Sequence, residues 1–308
     1  MPAKTAAAAA RIYVISPSGA VPDDGRLEQA RSNLARAGYP VRLDPAALRR
    51  RQRFAGSDEQ RTAAFERAAA QPADIVMISR GGYGMTRLVH LLDYRRLARA
   101  GKRWVGLSDF TAFHLAMLAR AGAVTWAGPA LLEDFGATPF EGIDETTLGA
   151  FTDAMEHRLE ILGFRCSGPS GVDERGVLWG GNLALVCSLA GTPYFPDVRG
   201  GILYLEDVGE HPYRVERMLT QLLRSGVIDR QKALLLGYFN GYRLTEHDAG
   251  FDMAAVIRWL RSQTRVPVIC GLPFGHDKPK LTMPHGAKVG LATEGRTCYL
   301  VLPHEHRH

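Results

Sequence analysis

A serine at a sharp strand-to-helix turn is the first candidate for chemistry in this chain. The apolar run 104–107 leads into Ser108 and Asp109, and apolar residues at helical spacing follow from Ala112. This pattern predicts a strand, a turn with the serine hydroxyl at its apex, and a helix whose positive end lies beside that hydroxyl. The arrangement is that of a nucleophile elbow, although Phe110 stands where the usual G-x-S-x-G pattern has its second glycine. A helix cap is the alternative role for this serine.

A hydroxyl nucleophile needs a base to accept its proton and a further group to orient that base. Glu206 ends an apolar run, and His276 lies in a glycine- and proline-rich loop that follows another apolar run. Taken singly, each of them could be an ordinary surface side chain. With Ser108 they form a Ser, Glu, His set drawn from three predicted strand ends. His285 in Met-Pro-His-Gly is a second candidate base, whereas His114 is expected to face the packing side of the helix after the serine.

Residues 80–84, Arg-Gly-Gly-Tyr-Gly, form a glycine-rich turn. No Lys-Ser/Thr pair follows, and the spacing is not that of a dinucleotide-binding fingerprint, so the turn is not predicted to bind a nucleotide phosphate. The backbone amides of Gly82 and Asp109 could instead form an oxyanion hole, in which each donor contributes about 3–4 kcal/mol. The acidic side chains at 206, 207 and 210 lack a histidine at metal-binding spacing and no H-E-x-x-H occurs, so no metal site is predicted.

Apolar runs and helical patterns alternate through the first half of the chain, which indicates an open parallel α/β sheet. Ligands bind beyond the carboxyl ends of the strands in such sheets, where both the glycine-rich turn and Ser108 lie. Glycine and proline interrupt residues 133–175, which we interpret as the connection between two domains. The sequence therefore predicts an N-terminal α/β domain over 11–160 that carries the serine. A second domain over 175–308 carries the glutamate and the histidine and ends in a β-hairpin.

Composition is that of an ordinary soluble globular protein, with 308 residues, 46% hydrophobic and 23% charged. The net charge of +6 and the basic run at 49–53 invite a nucleic-acid interpretation, but these arginines stand at helical spacing without any nucleic-acid-binding motif. We interpret them as solvated helix faces and predict no nucleic-acid partner. Four widely spaced cysteines, no convincing signal peptide and no apolar run of membrane-spanning length favour a cytoplasmic protein that has no membrane partner.

An ordered set of motifs resembles the LD-carboxypeptidases, a family of serine peptidases. In the first half the matching segments are residues 80–84, 105–111 (Val-Gly-Leu-Ser-Asp-Phe-Thr) and 126–129. In the second half they are residues 180–183, 191–193, 205–207, 213–217, 274–276 (Phe-Gly-His) and 281–286. The match covers nearly the whole chain, and the order of the motifs makes it specific.

The resemblance implies a catalytic triad of Ser108, His276 and Glu206, with the amides of Gly82 and Asp109 as the oxyanion hole. His285 lies where the family more often has an apolar residue, so the resemblance favours His276 as the base. Trp179 and Asn182 belong to a motif near the family's substrate cleft and are assigned to substrate binding on that ground. The implied fold is a flavodoxin-like or glutamine-amidotransferase-like N-terminal domain with a smaller C-terminal α/β domain, commonly in homodimers.

The activity implied by the resemblance is release of the terminal D-alanine from murein tetrapeptides during peptidoglycan recycling, with no metal or organic cofactor. One alternative within the family is a microcin C-type immunity peptidase that cleaves peptidyl or aminoacyl nucleotides. Trp179 would be the aromatic side chain that stacks on the nucleobase in that case. Another alternative, from a different class, is a non-catalytic amidotransferase-like binding module.

Overall fold

Two β-sheets and the helices around them make up the residues that a computed structural model describes, which are 12–138 and 140–302. Residue 11, the expected start of the first domain, and residues 303–308, the expected end of the second, lie outside the described part. The strands are β1 (Ile12–Ile15), β2 (Val41–Leu43), β3 (Ile75–Ile78), β4 (Arg103–Gly106), β5 (Thr125–Ala127), β6 (Ile161–Arg165), β7 (Asp173–Asn182), β8 (Ile202–Val208), β9 (Ala233–Asn240), β10 (Val268–Cys270), β11 (Met283–His285), β12 (Lys288–Glu294) and β13 (Thr297–Val301). The helices are α1 (Arg26–Arg36), α2 (Asp58–Ala69), α3 (Tyr94–Arg99), α4 (Thr111–Ala121), α5 (Leu131–Phe135), α6 (Glu145–Met155), α7 (Leu183–Leu189), α8 (Pro212–Arg224) and α9 (Met253–Gln263).

The first sheet has the strand order β11-β5-β4-β3-β1-β2, and its strands are parallel except for β11, which pairs antiparallel with β5. The order of its first five strands along the chain is that of flavodoxin, as expected for this α/β domain. All four residues of β1 are buried, and alternate residues enter different hydrophobic clusters on the two faces of the sheet. Continuous apolar strands of this kind form because helices cover both faces of a parallel sheet.

The second sheet has the order β10-β9-β8-β7-β12-β13-β6. The four strands from β7 to β10 are parallel, and the others are antiparallel. Residues 173–177 of β7 pair with β12, whereas residues 178–182 pair with β8. The predicted C-terminal hairpin is confirmed as β12 and β13. The chain is therefore a mixed α/β protein with two sheets, each carrying strands whose carboxyl ends can hold functional side chains.

Residues 133–175, which were interpreted as the connection between two domains, are more regular than their glycines and prolines indicated, because this stretch contains α6 and β6. Strand β6 alternates exposed and buried residues and pairs with β13, more than 130 residues further along the chain. A short amphipathic strand that contains a glycine gives a weak local signal, and its partner was too distant to predict. The second half of the chain also contributes a strand to the first sheet, because β11 pairs with β5.

A close contact between the two halves lies directly behind the predicted elbow. The hydroxyl of Thr111, the first residue of α4, accepts a hydrogen bond from the backbone amide of Asn182 at 3.0 Å. A Cβ on Gly181, whose φ is +131°, would lie 2.5 Å from that hydroxyl oxygen, so only glycine permits this approach. Because Asn182 pairs in register with Glu206, the contact fixes the elbow relative to the strand end that carries the glutamate.

Candidate active site

Ser108 lies at the turn between β4 and α4, and its backbone φ of +61° is in the left-handed region that non-glycine residues rarely adopt. Residues 108–110 form one turn of 3-10 helix that leads into α4. Within this turn the Phe110 amide donates to the carbonyl of Leu107 at 3.1 Å. A Cβ on Gly106 would lie 2.7 Å from the ring of Phe110. The sharp turn therefore has the geometry of a nucleophile elbow in which Phe110 packs against Gly106 instead of being a second glycine.

The structure brings together Ser108, His276 and Glu206 from three strand ends. The His276 Nε2 lies 2.9 Å from the Ser108 Oγ, and its Nδ1 lies 2.8 Å from the Glu206 Oε2. A neutral ring that donates Nδ1–H to the carboxylate leaves Nε2 free to accept the hydroxyl proton. The glutamate side chain is fully buried, and that of the histidine is one-fifth exposed. This arrangement can pass a proton from the serine to the histidine while the glutamate holds the ring in place.

Local backbone irregularities direct Glu206 and His276 toward each other. The register between β8 and β9 shifts by one residue at Glu206, a β-bulge of the kind found beside active sites. A Cβ on Gly275, whose φ is +132°, would lie 3.0 Å from the Glu206 Oε2, so a larger residue would crowd the carboxylate. The glycine before the histidine in the Phe-Gly-His motif is thus required by the close approach of the two side chains.

Glu206 sets the proton affinity of the histidine. Burial by itself would lower the pKa of His276, but the hydrogen bond and the charge of Glu206 outweigh burial and raise that pKa above its ordinary value. Burial, followed by the charge of Glu206, also raises the pKa of the neighbouring Asp207 to about 6. The buried glutamate is therefore the dominant charge at the base, and the imidazolium that forms during proton transfer is stabilised by it.

Asn182 and Trp179, for which substrate binding was expected, are buried, and neither lines the cavity beside Ser108. The Trp179 indole is fully buried and its Nε1 donates to the side chain of Gln231 at 3.1 Å. Asn182 caps α7 and donates from Nδ2 to the Asp207 Oδ1 at 2.8 Å. The motif that contains Trp179 and Asn182 therefore contributes to packing and positioning behind the site, because both side chains point from β7 into the core.

Gly81, a residue to which the sequence did not assign a role, lies directly beside the Ser108 hydroxyl. A Cβ on Gly81 would lie 2.9 Å from the Ser108 Oγ and 3.9 Å from the backbone nitrogen of Asp109. The Asp109 carboxylate accepts hydrogen bonds from the Ser18 hydroxyl at 2.6 Å and from the Met85 amide at 2.8 Å. Its side chain therefore ties the glycine-rich turn to the elbow, and its amide stays next to the serine hydroxyl.

The two rival histidines are buried and stack on each other with ring centroids 5.4 Å apart. His114 donates from Nε2 to the carbonyl of Gly106 and accepts from the hydroxyl of Thr125 at Nδ1. Burial lowers the pKa of His114 to about 4 and lowers that of His285 well below its ordinary value. His285 was expected in a loop but belongs to β11, and neither of its ring nitrogens has a partner in another described residue. It is not placed to act as the base.

Replacing His285 with leucine should change the pH dependence of stability. A buried histidine that must stay neutral loses stability as pH falls below about 6.5, because the unfolded chain then binds the proton more readily. The variant lacks this loss, so its free energy of unfolding should gain about 1 kcal/mol relative to wild type between pH 7.5 and pH 5.5. Urea unfolding at the two pH values measures the difference.

The control for this prediction is His90→Leu, since His90 is exposed at a turn outside the core. That variant should follow the wild-type pH dependence. A His285→Leu protein with the wild-type pH dependence of stability would contradict the buried neutral state of the ring.

A cavity of about 420 Å³ opens beside the serine and the histidine. Charged side chains of both signs line it, namely Arg80, Glu133, Asp134, Asp277, Lys278 and Lys280. Lys280 and Asp134 form a buried ion pair, with the lysine Nζ at 2.7 Å and 2.9 Å from the two carboxylate oxygens. The cavity is large enough for a short peptide segment, and it offers both cations and anions to a polar substrate.

No group of three or more His, Cys, Asp or Glu side chains within residues 12–138 and 140–302 is arranged to hold a metal ion. In that same part of the chain, every helix is too short or too polar to cross a bilayer. The acidic cluster considered from the sequence is dispersed, because Glu210 pairs with Arg214 and Asp207 pairs with Asn182.

Comparison with known proteins matches both halves of the chain to one family. Residues 12–128 match the family model of the LD-carboxypeptidase N-terminal domain, and residues 175–291 match that of the LD-carboxypeptidase C-terminal domain. The crystal structure of muramoyltetrapeptide carboxypeptidase from Oxalobacter formigenes is 43% identical, with a TM-score of 0.88 over 95% of this chain and 98% of that chain.

Two relatives indicate the range of activities that similar proteins carry. The murein tetrapeptide carboxypeptidase of Pseudomonas aeruginosa is 30% identical over 90% of this chain and 91% of its own length. The microcin C7 self-immunity protein MccF of Escherichia coli is 25% identical over 77% of this chain and 76% of its own length.

Proposed function

The chain belongs to the LD-carboxypeptidase family, and from that premise we propose that it is a serine carboxypeptidase that releases the terminal D-alanine from murein tetrapeptides in peptidoglycan recycling. The single observation that carries the proposal is the pair of contacts made by His276, to the Ser108 Oγ at 2.9 Å and to the Glu206 Oε2 at 2.8 Å. The names of the Pseudomonas and Oxalobacter relatives support the choice of a murein tetrapeptide as substrate.

In the proposed reaction the Ser108 Oγ attacks the carbonyl of the diamino acid that precedes the terminal D-alanine. The His276 Nε2 accepts the hydroxyl proton, and Glu206 stabilises the imidazolium through its hydrogen bond to Nδ1. Collapse of the tetrahedral intermediate breaks the peptide C–N bond, and the histidine donates its proton to the departing amine. Water, deprotonated by the same histidine, then hydrolyses the acyl-enzyme and restores the serine.

The negative charge that develops on the carbonyl oxygen needs donors already in place. We assign this role to the backbone amides of Asp109 and Gly82, since Asp109 follows Ser108 and Gly82 follows Gly81, where an added Cβ would lie 2.9 Å from the Ser108 Oγ. The hydrogen bonds that the Asp109 carboxylate receives from Ser18 and Met85 hold the glycine-rich turn and the elbow in a fixed relation. Preorganised donors of this kind contribute about 3–4 kcal/mol each to the transition state.

An immunity peptidase acting on aminoacyl nucleotides has less support from the residues. That alternative assigned Trp179 to stack on a nucleobase, and the indole is fully buried. A non-catalytic binding module does not account for the hydrogen bonds that link a serine to a histidine and that histidine to a buried glutamate. The proposal extends to a homodimer, which follows the resemblance to the family, and to a location in the cytoplasm, which the four widely spaced cysteines favour.

The test is to incubate the protein with UDP-linked and free murein tetrapeptide and to detect D-alanine by mass spectrometry. A tetrapeptide ending in L-alanine and an aminoacyl-sulfamoyl adenosine are the comparison substrates. The proposal expects D-alanine release from the tetrapeptide at a rate well above the turnover of either comparison substrate. Wild-type protein that leaves the tetrapeptide intact would refute it, and preferential cleavage of the nucleotide analogue would establish the alternative.

A further inference from the structure

A carboxypeptidase must recognise the free carboxylate of its substrate, and the cations that line the cavity differ in their ability to do so. This inference rests on the function proposed above. In a peptide with one residue beyond the scissile bond, the terminal carboxylate lies within roughly one residue length, about 3.8 Å, of the attacked carbonyl. The recognising cation therefore has to reach the space directly beside Ser108 and the oxyanion position.

Lys280 is unsuitable because both oxygens of Asp134 already neutralise it, and the pair is buried. Asp134 is in turn fixed by the amide of Ala130, which donates to its Oδ2 at 2.8 Å. A new carboxylate could bind this lysine only by displacing a buried partner, and breaking a buried ion pair is strongly unfavourable because it leaves an uncompensated buried charge. The Lys280–Asp134 pair therefore lines the cavity without offering a free cation to the substrate.

Arg80 is placed and held differently. It directly precedes Gly81, whose missing side chain faces the Ser108 Oγ, and one-third of the arginine side chain is exposed. Its Nη1 donates to the carbonyl of Ala20 at 3.2 Å, which anchors one side of the guanidinium. The guanidinium packs beside Gly19, where a Cβ would lie in ordinary contact with the Arg80 Nε at 3.5 Å.

Arg80 lines the cavity together with Ser108 and His276. Its Nε is buried and has no hydrogen-bond partner among the described residues, and the Glu133 carboxylate forms a long ion pair with it at 3.8 Å, beyond hydrogen-bond length. One-third of the Arg80 side chain is exposed, and a guanidinium offers a planar set of N–H donors that matches the two oxygens of a carboxylate. We infer that Arg80 binds the C-terminal carboxylate of the substrate and restricts the enzyme to the last residue of the peptide.

The test compares the tetrapeptide that ends in D-alanine with the same peptide ending in D-alaninamide, and follows release of each product by mass spectrometry. The amide cannot form the charged hydrogen bond that the free acid forms with the arginine. Wild type should therefore prefer the free acid by roughly 100-fold in kcat/KM. Arg80→Gln should lower kcat/KM for the acid by a similar factor, mainly through KM, because the carboxylate is bound in both the ground and the transition state. Hydrolysis of the amide should stay within about three-fold of wild type.

Lys278→Gln is the matched control, since Lys278 is a second cation on the lining of the same cavity. This variant should keep the preference for the acid. The inference is overturned if Arg80→Gln keeps that preference, if it slows both substrates equally, or if Lys278→Gln loses the preference instead. Wild type that cleaves neither peptide would refute the proposed function itself, whereas an active wild type with an unchanged preference in Arg80→Gln would refute only the role of the arginine.

Discussion

Replacing Ser108 with alanine should lower kcat for D-alanine release by about 10⁵-fold while the protein stays folded and binds the tetrapeptide. The variant has no hydroxyl to form an acyl-enzyme, and the remaining histidine and oxyanion donors act only on a water molecule. Alanine adopts the φ of +61° no more easily than serine does, so the elbow should keep its present strain. Single-turnover kinetics with excess enzyme would measure the residual rate without contamination by product release.

Two companion variants make the result specific. Ser188→Ala removes a hydroxyl that only bonds back to its own helix, at the carbonyl of Leu185, and should retain wild-type activity. Ser108→Gly should be as inactive as the alanine variant, but more stable by about 1 kcal/mol or more, because glycine relieves the positive φ. If Ser108→Ala keeps more than about 1% of the wild-type kcat, the serine is not the nucleophile.

Replacing Glu206 with glutamine should lower kcat by about 10⁴-fold, the effect seen when a triad carboxylate becomes an amide. The glutamine NH₂ can donate to the His276 Nδ1, which favours the tautomer with the proton on Nε2. That ring would then donate to the Ser108 hydroxyl and could not accept its proton. Glu210→Gln is the matched control, because Glu210 stands four residues further along and pairs with Arg214 at the surface.

The same variant should shift the pH dependence of kcat/KM. Activity requires neutral His276, so it rises with pH through the pKa of that residue in the free enzyme. In wild type Glu206 raises this pKa above its ordinary value, and the acidic limb of the profile should therefore lie above pH 6.5. Loss of the carboxylate charge lets burial dominate, and the limb should move to lower pH in Glu206→Gln. An unmoved limb would assign that titration to another group, with Asp207 as the first alternative.

The local features of this fold could be predicted from the sequence because they depend on neighbouring residues. Apolar runs that alternate with helical patterns indicated the parallel strands of the first sheet, and the C-terminal hairpin was also predicted from the sequence. The strand, turn and helix around Ser108 were visible for the same reason. The elbow, in which Ser108 has a positive φ, depends on a few adjacent residues, chiefly Gly106 and Phe110.

Tertiary structure alone decided which distant groups meet at the serine. His276 lies 168 residues from Ser108 in the chain, and His285, nine residues beyond His276, is removed from the site by its pairing in β11. Trp179 belongs to the same motif as Asn182, yet it is buried because its side chain points from β7 into the core. The Lys280–Asp134 pair, 146 residues apart, had no sequence signal, and it determines which cation remains for a substrate. Which distant side chains meet depends on packing between elements, whereas the sequence pattern by itself determines only which helix or strand each segment can form.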